Sequence, residues 1–104
     1  MPIEPHQVRS QAKAFVDSLS KMSAKQREQE PTPQFANQFN RLLELARQAV
    51  PDVDPQLWPT AVSVTPSLGG GHLRVGARYT EIEVYARQVL SLLPAPDNIG
   101  FMVL

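Results

Sequence analysis

The chain has 104 residues, enough for one domain with one hydrophobic core. Ten basic and ten acidic residues give a formal charge of zero, which argues against a protein built mainly to grip nucleic acid or an anionic membrane. There is no cysteine, so disulfide scaffolds, thiolate metal sites and thiol nucleophiles are excluded.

The hydrophobic fraction of 42% predicts a folded chain, and ten prolines punctuate it into segments. Glu4 comes early and no continuous apolar run follows it, so no signal-peptide pattern is present. No apolar run approaches the roughly 20 residues needed to span a bilayer. These features predict a cytoplasmic protein with no membrane contact.

Pro5 to Met22 reads as a first helix, with Val8, Ala12, Phe15, Val16 and Leu19 as its apolar stripe. Pro5 suits the first helical position, where its missing N–H costs nothing. Residues 23–31 are polar and charged, and read as a solvated helix end or linker that stops at Pro31. Thr32 as N-cap and Pro33 as first helical residue start a second helix, which ends near Ala49 because Pro51 follows. Its stripe is Phe35, Phe39, Leu42, Leu43, Ala46 and Val50, while Asn37, Asn40, Arg41, Glu44 and Gln48 fill the other face.

Asp54 caps a further single turn beginning at Pro55, and Trp58 after it is expected as a core anchor. Beyond Pro59 the period becomes two. Val62 and Val64 alternate with Ser63 and Thr65, and Leu73, Val75, Ala77 and Tyr79 alternate with Arg74, Gly76 and Arg78. A β-hairpin with a flexible tip at Gly69–Gly71 is predicted. Thr80 and Glu83 have capping-box spacing at the start of a last helix, with Ile82, Tyr85, Ala86, Val89 and Leu93 as its stripe. Pro94 and Pro96 end it, and residues 94–104 form an apolar tail.

Together these elements predict a single α+β domain over residues 1–104. Its order is α-α-β-β-α with a short helical turn before the hairpin, and its helices pack on one sheet face. An all-helical bundle with an irregular hairpin loop is the alternative.

For function, the sharpest candidate is the polar face of the hairpin. His72, Arg74, Gly76 and Arg78 fall on one face if the strand is regular, and Tyr79 or Tyr85 is a candidate stacking partner for a base. Such a face suits a phosphate, a carboxylate or single-stranded nucleic acid. A bulge at Gly76 or a one-residue slip splits the arginines across two faces. The triple glycine is not a P-loop, since His72 and a strand follow it rather than Lys-Ser/Thr and a helix.

Glu81 with Glu83, and Asp52 with Asp54, read as helix-start and turn residues rather than as acid–base pairs. His6 and His72 have no metal-ligand spacing, and no Gly-x-Ser-x-Gly elbow occurs, so no metal, no cofactor and no catalytic residue is expected. Two apolar features invite association. The first is the tail residues Phe101, Met102, Val103 and Leu104, suited to burial or to strand addition, and the second is the narrow stripe of the first helix. The leading expectation is therefore a non-enzymatic protein-interaction module, or a small subunit of a cytoplasmic complex, that binds a protein or itself. The alternative is a nucleic-acid- or anion-binding domain using the basic hairpin face, disfavoured by the zero net charge.

Overall fold

A computed structural model describes residues 3–66 and 73–94. The elements run α1 (Pro5–Ser20), α2 (Ala24–Arg27), α3 (Pro33–Ala49), a 3-10 turn (Pro55–Leu57), β1 (Val64–Pro66), β2 (Leu73–Val75) and α4 (Tyr79–Leu92). This is the α+β domain that the periodicities predict, with one added element, α2.

Each helix start has a local cause. Pro5 opens α1 at its first turn. The Thr32 hydroxyl accepts from the Phe35 N–H at 3.1 Å and starts α3, with Pro33 at the first helical position. Asp54 caps the 3-10 turn by accepting from the Gln56 N–H at 2.9 Å. The helix stripes then decide the packing. Val8, Ala12, Val16 and Leu19 of α1 are buried against α3 and α4, so this stripe is an intrachain seam. From α3 come Ala36, Phe39, Leu42, Leu43 and Ala46, and from α4 Ile82, Ala86 and Val89. Trp58 joins the same core with 8% of its surface accessible, as its position after the 3-10 turn predicts.

An aromatic chain threads this core. Tyr85 lies 6.2 Å from Phe39, Phe39 6.1 Å from Phe15, Phe15 4.8 Å from Phe35, and Phe35 4.9 Å from Tyr79, in tilted and edge-on pairs. The chain begins and ends on α4 and passes through α3 and α1, so it ties the three long helices together.

The hairpin is antiparallel, pairing Val64 with Val75, Thr65 with Arg74 and Pro66 with Leu73. One further bond, Gly76 N–H to the Ser63 carbonyl at 2.8 Å, extends the pairing beyond the strands. A Cβ at position 76 would sit 2.1 Å from the Ser63 hydroxyl oxygen, so a side chain there requires that hydroxyl to rotate away. In an antiparallel ladder, hydrogen-bonded and non-hydrogen-bonded pairs alternate. The Ser63–Gly76 bond therefore sets the backbone groups of Val64 and Val75 facing outward, along with those of Val62 and Pro66. Pro66 has no N–H to lose there, which is why a proline is tolerated in this strand.

Two local readings need correction. Thr80 and Glu83 do not form a capping box, because α4 begins earlier. Arg78 is its N-cap, and the Glu81 carboxylate accepts from the Arg78 N–H at 2.9 Å. Only this half of a box exists, since an arginine side chain has no acceptor. Glu83 instead turns inward. The second correction concerns residues 23–30, which do not extend the first helix. Ser23 accepts from the Gln26 N–H at 3.1 Å and the Gln26 side chain accepts from the Ser23 N–H at 3.0 Å. This complete box starts a separate one-turn helix. The segment is largely exposed, yet it is fastened to the hairpin and to α4.

Candidate functional site

The polar groups of the molecule converge where α2 and Glu30 meet the hairpin and the first turns of α4. The deepest part is Glu83, a charged residue with 8% of its surface accessible. Both of its carboxylate oxygens are engaged. Arg27 approaches one at 3.3 Å, and Arg87 donates to the other from two nitrogens at 2.8 and 3.1 Å. Arg27 also donates to the Ser20 carbonyl at 2.8 Å, and its own carbonyl accepts from the Thr80 hydroxyl at 3.0 Å. One arginine thus clips the end of α1, the turn α2 and the start of α4 together. A buried carboxylate needs this many donors, because burial without them is costly.

Closer to solvent lies Glu30. One of its oxygens accepts from Arg74 Nε at 3.1 Å and the other from the Val75 N–H at 3.2 Å. The Val75 hydrogen bond is the main cause that holds its carboxyl below the usual carboxylate range; burial opposes it, and the Arg74 guanidinium and the charge of Arg78 add to the lowering. Arg78 donates to the Glu28 carbonyl. A shallow groove of about 230 Å³ runs along this corner, lined by Glu30, Arg74, Val75, Gly76, Ala77, Arg78 and Glu81.

Arg74 and Arg78 do share this groove, each with an acceptor from the segment before Pro31. Gly76 lies between them without a bulge, opposite Ser63. Tyr79 stacks its ring edge-on against Phe35 and Tyr85 lies beside Phe39, so both rings belong to the aromatic chain of the core. His72, the loop Gly69–Gly71 and the tail residues Phe101, Met102, Val103 and Leu104 lie outside the described residues.

Three features escape a reading of the sequence. Glu30 stands 44 residues from Arg74, so no local spacing joins them. Asn40, read as solvent-facing, pairs with both backbone groups of Val62: its amide donates to the carbonyl at 2.9 Å and accepts from the N–H at 2.8 Å. Val84 and Leu57 are large apolar residues left 59% and 51% accessible. Of these, only Val84 left a trace, as an apolar residue off the α4 stripe.

Among the described residues no helix is long and apolar enough to cross a membrane, and no group of three or more acidic or histidine side chains is arranged to hold a metal ion. Comparison with family models, curated proteins and solved structures finds no match to this chain.

Proposed function

We propose that the chain is a non-enzymatic protein-interaction module, acting as a small subunit of a cytoplasmic complex, and that it meets its partner through the outer face of α4. The observation that carries this reading is the exposure of Val84 and Leu57, 59% and 51% accessible, on adjoining elements. Gln88, one turn after Val84, donates to the Leu57 carbonyl at 2.6 Å and fixes the 3-10 turn against the helix. Single exposed apolar side chains are ordinary on a protein surface, whereas apolar residues gathered at one place on a polar rim favour association. Thr80, Glu81, Arg87, Gln88 and Ser91 supply that rim. The seam of α1, a second candidate for association, is filled from within the chain and lends no support.

The basic hairpin face as a nucleic-acid site draws less support, because Arg74 and Arg78 already have acceptors and Tyr79 packs on Phe35.

The test is the double substitution Leu57→Asp with Val84→Asp. Both sites are exposed, so the melting temperature should stay near that of the wild type. Sedimentation velocity over a range of concentrations, and capture of bound protein at high salt with nuclease present, report association. The wild type should show a self-associated species or a discrete partner that the double variant loses. Equal association by both proteins overturns this assignment of the face.

A further inference from the structure

The outer edge of β2 is closed by a single, exchangeable side chain. Val75 faces its N–H and C=O away from β1, and the N–H is taken by the Glu30 carboxylate at 3.2 Å. Among the described residues no side chain takes the Val75 carbonyl. Leu73, two positions before it on the same face, leaves 48% of its surface accessible. An outward row of backbone groups beside an exposed apolar side chain is the pattern that receives an added strand.

We propose that this edge is a docking site for an extended acidic segment of a partner protein, and that Glu30 is its intramolecular placeholder. An incoming backbone carbonyl takes the Val75 N–H, an incoming N–H takes the Val75 carbonyl, and an acidic side chain replaces Glu30 on Arg74. Charge selects the acid. When Glu30 leaves, Arg74 loses its partner, Arg78 stays on the Glu28 carbonyl and adds its charge, and the remaining carboxylate of the groove, Glu81, already accepts from the Arg78 N–H. The exchange needs only rotation of the Glu30 side chain, which is 37% accessible. Its backbone stays put, since Pro31 is buried and α2 is clipped by Arg27 to Glu83 and Thr80. This site shares Glu81 with the rim of the α4 outer face, but neither Leu57 nor Val84 lines it, so the two can be tested apart.

The test uses a blocked octapeptide of alternating Val and Thr with one central Glu, and the same peptide with Gln in its place. Binding is followed on the backbone amide spectrum of the full chain. Glu30→Ala removes the placeholder and should bind the Glu peptide about ten-fold tighter than the wild type, since the competent site is no longer occupied. The Val75 amide should move on binding, and the Gln peptide should bind more weakly. Glu30→Gln keeps an acceptor for the Val75 N–H without the charge, and should fall between the two proteins. It also secures the comparison if the alanine variant does not fold. The Leu57→Asp, Val84→Asp double variant should bind the peptide as the wild type does, which separates this site from the α4 face. Equal binding by the wild type and the Glu30 variants, no binding by any of them, or binding that leaves the Val75 amide unmoved overturns the proposal.

Discussion

The two edges of the hairpin are closed by side chains of opposite character. On the strand leading into β1, the Asn40 amide both donates to and accepts from Val62, in a partly buried setting. On β2, the Glu30 carboxylate only accepts, so it satisfies the Val75 N–H and leaves the carbonyl. The amide acts as a one-residue substitute for a strand and comes from the rigid middle of α3. The carboxylate comes from the residue before Pro31, beyond the end of α2, and is more exposed. An edge that must stay shut is served by a neutral group matching donor and acceptor together. An edge that can be opened is served by a charge that water and other ligands compete for.

The largest effect expected lies in the core beside Asn40. Phe39 is fully buried, belongs to the aromatic chain and sits one residue before Asn40. Phe39→Ala should lose about 3–5 kcal/mol, from transfer and cavity together. Denaturant unfolding measures this, and a loss below about 1 kcal/mol would mean that the core collapses around the gap and that Phe39 does not anchor the helix that carries Asn40.

The next effect distinguishes the edges. Asn40→Ala leaves the Val62 N–H and carbonyl without their side-chain partner and should cost about 1–3 kcal/mol. Asn40→Asp makes this edge chemically like the other, keeping the acceptor but setting a carboxylate against the Val62 carbonyl. It should be no better than alanine near neutral pH. If the aspartate variant unfolds at the wild-type denaturant concentration, the donor half of the amide is idle and the contrast between the edges collapses.

The fold was legible because its elements are written in local code. Apolar spacing marks α1, α3 and α4, while Thr32, Asp54 and the flanking prolines mark starts and stops, and alternation after Pro59 marks the hairpin. The short element α2 was hidden because Ser23 and Gln26 form their box inside a polar stretch with no apolar stripe to phase it. The helix α4 starts earlier than the Thr80–Glu83 spacing suggests for a related reason. Thr80 and Glu83 have the spacing of a box, but burial of Glu83 between Arg27 and Arg87 outweighs a surface capping role. At the polar corner, Arg74 and Arg78 share a groove, but not as one strand face: β2 ends at Val75, and Arg78 is the N-cap of α4. Their acceptors were not legible, because Glu28 and Glu30 reach them only through the packing of α2 on α4. The same holds for Asn40, whose partner Val62 is 22 residues away.

The smallest effect sharpens the comparison by pH. The folded state lowers the Glu30 carboxyl below its ordinary range, chiefly through the Val75 N–H and then Arg74, with Arg78 adding charge from across the groove. A lowered carboxyl stabilises the fold at pH values above its unfolded range, and that contribution disappears as pH falls through the folded value. Glu30→Gln keeps an oxygen for Val75 but has no charge to titrate. The wild type should therefore melt slightly above the variant at pH 7, by a few degrees at most for so exposed a pair. The gap should close as the solution is acidified below the folded value. High salt should narrow the gap at pH 7 as well, since exposed charges are screened. A gap that survives both acid and salt would mean that Glu30 holds β2 by shape and hydrogen bonding alone, as Asn40 holds the other edge, and the two edges would then be alike in kind.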